Sequence, residues 1–126
     1  MNIDNIFIVN LESRKDRKES MLNELKKQKV TNYEFFKAIR PTLEEVNEWN
    51  PNYCEYVRSS VPKENFNNYR IGCLGCLKSH IEIMKIALDR GYKTILILED
   101  DTLFINPLEN IYSYAEQVVL SLNGNY

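Results

Sequence analysis

A chain of 126 residues, 44% of them hydrophobic and 27% charged, has the composition of one small globular domain able to bury a core. Its formal charge of −2 gives no bias toward nucleic acid or anionic membrane, and no stretch approaches the roughly 20 apolar residues of a membrane span. The first ten residues carry Asp4 and lack the basic-then-apolar plan of a signal peptide, so a cytoplasmic setting with reduced thiols is the expectation.

Ile6-Phe7-Ile8-Val9 is a short run of the buried-strand type, followed by Asn10 and Leu11. Ser13 offers an N-cap for a helix reaching about Lys29, with Met21, Leu22 and Leu25 on its core face. Tyr33-Glu34-Phe35-Phe36 predicts a second strand ending near Ala38, and the opening then has the size and order of a βαβ unit. Thr42 with Glu45 three positions on has the capping-box form and predicts a short helix to about Trp49. Residues 50–69 show no period and carry Pro51, Pro62 and several Asn, Ser and Tyr residues, the pattern of a long loop or lid-like insertion.

Leu74, Leu77, Ile81, Met84 and Leu88 then recur every three or four residues and predict a helix with one apolar stripe, ended by Arg90-Gly91. The apolar run Thr94-Ile95-Leu96-Ile97-Leu98 suits an interior parallel strand covered on both faces. After Asn106, Pro107 fits the first turn of a last helix with Ile111, Tyr114, Val118 and Leu122 on one face. The order β-α-β, loop, α-β-α argues a single α/β domain over residues 1–126 with a parallel, nucleotide-binding type of sheet. Three strands are few for a finished sheet, so the expectation is the front part of a longer domain, with an open edge that favours pairing with another copy.

The chemistry concentrates at Glu99, Asp100 and Asp101, directly after the third strand, where open α/β sheets place their ligands. Three clustered carboxylates raise one another's pKa unless something neutralises them, and a hard divalent ion does so. In an extended chain Glu99 and Asp101 would share a side as metal ligands, with Asp100 turned away to orient neighbours. The bland reading, solvated acids capping the next turn, stands beside it. Cys73, Cys76 and His80 have the C-x₂-C-x₃-H spacing of zinc ligands, with Cys54 as a distant fourth, or of a redox pair. No second ligand knuckle accompanies them, and thiols packed as small core residues are the better account. His80 is equally a buried histidine or a site residue. Gly72 and Gly75, near the predicted helix start, would let a backbone or a phosphate come close. Arg14 and Arg17, three residues apart after the first strand, would face a diphosphate together, or belong to a solvated helix face.

These residues resemble glycosyltransferase family 25. Ile6-Phe7-Ile8-Val9-Asn10-Leu11 with Arg14 and Asp16-Arg17 is similar to that family's opening "hhhINLxxRxDR" block, and Phe36-Lys37-Ala38 to its "F-x-A" segment. Gly75-Cys76-Leu77-Lys78-Ser79-His80 matches "GCxxSH", and Ile95 to Asp101 matches "hLILEDD". Where the family commonly continues its Ala with Asp-Gly, this chain has Ile39-Arg40-Pro41. The resemblance implies a Rossmann-like GT-A nucleotide-diphospho-sugar transferase fold, incomplete at the C-terminus. It also implies transfer of a hexose from a UDP-sugar to a glycan or protein hydroxyl, with Mn²⁺ or Mg²⁺.

On that resemblance Asp101 is the leading metal ligand with Glu99, while Glu99 or Asp100 lies nearer the ribose or sugar. Asn10, Leu11 and Ala38 line the nucleotide pocket, Arg14 and Arg17 support it, and Ser79 and His80 sit beneath the acidic motif or touch the donor. No residue presents itself as the catalytic base an inverting transfer needs, His80 being the nearest candidate. The alternatives are a non-catalytic or truncated sugar-nucleotide-binding or assembly protein of the same fold, and a small zinc-stabilised interaction domain.

Overall fold

The computed structural model describes residues 2–49 and 62–123. Three parallel strands, β1 (Asn5–Asn10), β2 (Tyr33–Lys37) and β3 (Ile95–Glu99), form a sheet in the order β2-β1-β3. The register pairs Ile8 with both Phe35 and Leu98, and Val9 with both Phe36 and Glu99. The strand ends Asn10, Lys37 and Glu99 therefore arrive at one rim of the sheet.

β1 is the interior strand, buried along its whole length. One face packs Ile6 and Ile8 against Met21 and Leu25 of helix α1 (Lys15–Lys27) and Leu108 of helix α4 (Leu108–Asn123). The other packs Phe7 and Val9 against Ile83 of the long helix α3 (Phe66–Asp89). Helices on both faces explain why β1 reads as an unbroken apolar run. β3, expected in the interior, instead borders β1 alone among the described residues and is only half-buried. The reason is that β1, which both other strands flank, already fills the central place.

Several boundaries differ from expectation. Arg14, not Ser13, occupies the N-cap of α1, and no side chain caps it; Leu22 is exposed. The capping box of α2 (Leu43–Trp49) is real: Thr42 N–H donates to Glu45 Oε2 (2.7 Å) and Glu45 N–H to Thr42 Oγ1 (3.2 Å). Of the expected loop at 50–69, residues 50–61, including Cys54, lie outside the described residues. A 3₁₀ turn occupies Lys63–Asn65, and Phe66 already begins α3. Gly72 and Gly75 thus sit within the helix and not at its N-terminus; Gly75 lets a backbone come close there, through Ile39.

The buried residues of α3 are Arg70 and Leu74, and Gly75, Ser79, Ile83 and Ala87, two adjacent rows with four-residue spacing. Of the predicted stripe only Leu74 belongs to them; Leu77, Met84 and Leu88 are 44%, 49% and 77% exposed. The helix turns its smaller residues to the sheet because they let the backbones approach closely. In α4 only the first turns reach the core, through Leu108, Ile111 and Tyr112, and the predicted partners Tyr114, Val118 and Leu122 are exposed. None of the described helices is long and apolar enough to cross a membrane.

α1 and α3 end alike. Val30 N–H returns to Leu25 O and Lys29 N–H to Lys26 O; Tyr92 N–H returns to Ala87 O and Gly91 N–H to Leu88 O. Both are Schellman ends, whose C′ residue takes a left-handed conformation. Gly91 does so at φ 72° without strain, but Lys29, at φ 55°, carries a side chain there. Lys29→Gly is expected to raise stability by about 0.5–1 kcal/mol, and Gly91→Ala to lower it by about 1 kcal/mol, in urea unfolding. Shifts of the same sign in both variants would contradict this account of the helix ends.

Candidate functional site

At the rim where the strands end, β1 hands the chain to α1 on one face of the sheet, and its neighbour β2 hands it through α2 to α3 on the other. Ligands of open parallel sheets bind beside such a divergence of neighbouring strands. Beside that divergence Asp100 joins the ends of β1 and β3. This carboxylate is buried, accepting from Asn10 Nδ2 at its Oδ2 (2.9 Å) and from Arg17 Nη1 at its Oδ1 (3.2 Å). Asn10 Nδ2 also donates to Arg14 O (3.2 Å), which draws the β1–α1 connection into the same node.

The motif acids divide between the faces. Glu99 Oε1 lies 3.1 Å from His80 Nε2 and 3.8 Å from Cys76 Sγ, both on α3. Asp100 goes to α1 through Arg17. Asp101 is exposed in the turn after β3 and has no side-chain partner among the described residues. Beyond Glu99 the chain turns rather than continuing as a strand, so the extended-chain rule does not by itself place Glu99 and Asp101 together.

The basic pair also separates. Arg17 reaches Asp100, whereas Arg14 forms a bidentate pair with Asp16 through Nε (2.9 Å) and Nη2 (2.8 Å). The Arg14 guanidinium holds the Asp16 carboxyl well below the usual carboxylate range.

On the α3 side a cleft of about 400 Å³ opens along the strand ends. Of the candidate site residues, Leu11, Ala38, Ser79 and Glu99 line it; so do Arg40 and Cys76, which sequence reasoning did not assign to a donor site. Asn10, Arg14, Arg17, His80, Asp100 and Asp101 do not line it. Arg40 is exposed and its guanidinium has no partner among the described residues. Its position followed from the point where the chain departs from the family pattern, a signal legible only once the loop's course was known.

Two small residues of α3 shape this cleft. A Cβ on Gly75 would stand 2.5 Å from Ile39 O and 3.2 Å from Pro41 Cδ, so only glycine lets the loop after β2 lie against the helix. Ser79, fully buried, accepts from Ile39 N–H (2.9 Å) and donates to Gly75 O (2.7 Å). Ser79 therefore holds the loop that carries Arg40, and not the acidic motif. Cys76 is exposed rather than core-packed. Partial burial, and secondarily the adjacent Glu99 carboxylate, push its thiol pKa up.

Against this geometry, the family model for glycosyltransferase family 25 (LPS biosynthesis protein) matches residues 3–124. Procollagen galactosyltransferase 2 of Mus musculus is 31% identical over 108 residues, covering 82% of this chain and 16% of the relative. The Homo sapiens protein of the same name is 34% identical over 110 residues, with 82% and 16% covered. Procollagen galactosyltransferase 1 of Danio rerio is 32% identical over 111 residues, with 82% and 17% covered. The chain thus spans about a sixth of the length of these curated relatives.

The Asp100 node makes a specific claim about coupling. In double-mutant cycles by urea unfolding, Asn10→Ala and Arg17→Ala are each expected to couple to Asp100→Ala by about 1 kcal/mol or more. Arg14→Ala should couple by less than about 0.5 kcal/mol, because its guanidinium is engaged elsewhere. Equal coupling for both arginines would show that they act together after all.

Proposed function

The chain belongs to glycosyltransferase family 25, and on that premise we propose that it is the donor-binding part of a metal-dependent hexosyltransferase of GT-A type. Its donor is a UDP-sugar and its acceptor a hydroxyl of a glycan or protein. The observation that carries the reading is the cleft at the carboxyl ends of the parallel strands, walled by the motif carboxylate Glu99 on one side and by Arg40 on the other.

Leu11 and Ala38 supply apolar wall for the nucleotide, and the exposed Arg40 guanidinium meets the diphosphate through charge-assisted hydrogen bonds. Asn10 and Arg17 act through Asp100, holding the acidic turn in place while the cleft fills. The donor set fits a hard divalent ion: Asp101 is exposed and uncommitted among the described residues, and Glu99 uses only Oε1 toward α3. Mn²⁺ and Mg²⁺ need few protein carboxylates when water and phosphate oxygens complete the shell, so Asp101 with Glu99 would hold one. When bound, such an ion supplies Lewis-acid neutralisation of the departing diphosphate. With this reading go two further proposals, a cytoplasmic site of action and self-association through the outer edges of β2 and β3, which pair with no strand among the described residues.

Calorimetric titration of UDP with and without Mn²⁺ tests the donor site. Binding is expected to require the ion and to be lost in Asp101→Ala. Arg40→Ala should weaken it by about tenfold or more, as loss of one charge-assisted hydrogen bond does. Metal-independent binding, or full affinity in Arg40→Ala, would place the donor elsewhere.

A further inference from the structure

Cys76 and His80, which the donor reading leaves unused, form a cluster with one oxygen of Glu99. Cys76 and His80 are one helical turn apart on α3 and so share a face. The strand-end carboxylate of Glu99 meets them there. Oε1 lies 3.1 Å from Nε2 and 3.8 Å from Sγ, and the three candidate ligand atoms all fall within 4.8 Å of one another.

Tetrahedral zinc, with bonds of about 2.3 Å to sulfur and about 2.0–2.2 Å to nitrogen and oxygen, sets its ligand atoms roughly 3.2–3.6 Å apart. Two of the separations here, 3.1 and 3.8 Å, bracket that spacing, and the third is within 4.8 Å. The donor types discriminate as well. A hard ion such as Mn²⁺ or Mg²⁺ takes oxygen ligands, whereas a sulfur, an imidazole nitrogen and one carboxylate oxygen suit a borderline-soft ion. Three protein ligands also leave the fourth position open, the arrangement of zinc sites that take up water or substrate. Cys76 and Glu99 line the cleft, so that position lies at its wall. The pattern differs from the C-x₂-C-x₃-H reading of the sequence: it omits Cys73 and recruits a carboxylate 19 residues beyond His80.

We propose that Cys76 Sγ, His80 Nε2 and Glu99 Oε1 bind one Zn²⁺ ion at the wall of the cleft, with a fourth coordination position open to an oxygen ligand. The assignment goes beyond the donor reading and does not rest on it, since Asp101 leads the hard-ion site and Glu99 Oε2 is not used here.

Cobalt reports this site without any assay of turnover. The metal-free chain, reduced, is titrated with Co²⁺, then with Zn²⁺ as competitor. One Co²⁺ per chain is expected, with a near-ultraviolet sulfur-to-cobalt charge-transfer band and tetrahedral visible bands that Zn²⁺ erases. Cys76→Ser should abolish the charge-transfer band, and His80→Gln and Glu99→Gln should each weaken binding by more than about a hundredfold, beyond what loss of an outer-shell partner typically costs. Cys73→Ser and Asp101→Ala should keep the band. Absence of the band, or its survival in Cys76→Ser, overturns the proposal. Should Cys76→Ser fail to fold by circular dichroism, X-ray absorption of the Zn²⁺-loaded wild type decides: one sulfur at about 2.3 Å supports the site, and an all-oxygen-and-nitrogen shell overturns it. UDP binding without a cobalt band would sink this inference alone, and a cobalt band without UDP binding would sink the donor reading alone.

Discussion

One buried carboxylate holds the working end of this sheet together. Asp100 lies where the strand carrying it leaves the sheet, and its two oxygens are taken by an amide at the end of β1 and a guanidinium from α1. Burying an ionised group is unfavourable unless charge and hydrogen bonds compensate it. Here both oxygens have donors, one from the end of β1 and one from α1, so the turn after β3 is tied to both elements. The same contact sets the sides: with Asp100 committed to α1, Glu99 before it is left to α3.

On the α3 face the controlling constraint is distance rather than charge. The loop after β2 lies so close to the helix that no side chain fits at Gly75, and Ser79 converts that closeness into a hydrogen bond to Ile39. The loop is thereby positioned to put Arg40 in the cleft wall. Lys78 adds an ion pair to Glu45 of α2 (3.0 Å), exposed and thus a minor contribution beside the packing. The "GCxxSH" block is therefore mainly an architectural device at its glycine and serine. Its cysteine and histidine remain available at the surface for chemistry.

Local signals served best where the structure obeys local rules. The apolar run of β1, the Thr42–Glu45 capping box and the Arg90-Gly91 helix end are all formed as their residues suggest. They misled where two arrangements satisfy the same periodicity. α3 has one apolar stripe of large residues and another row of small ones, and spacing alone favours the large. Packing chose the small row, because Gly75 and Ser79 permit backbone approach that Leu77 and Met84 would block. Likewise Arg14 and Arg17 share a spacing but not a partner, since Asp16 lies within reach of one and Asp100 of the other.

By itself the sequence determined the α/β order, the parallel sheet type and the family, because each rests on short-range patterning or on residue identity. Tertiary structure alone decided which acid is buried, which arginine supports it and which helix face meets the sheet. It also decided that Cys76 and His80 meet Glu99. Those outcomes depend on contacts between residues 19 to 90 positions apart, and no local pattern encodes which of several chemically equivalent partners the folded chain brings within hydrogen-bonding distance.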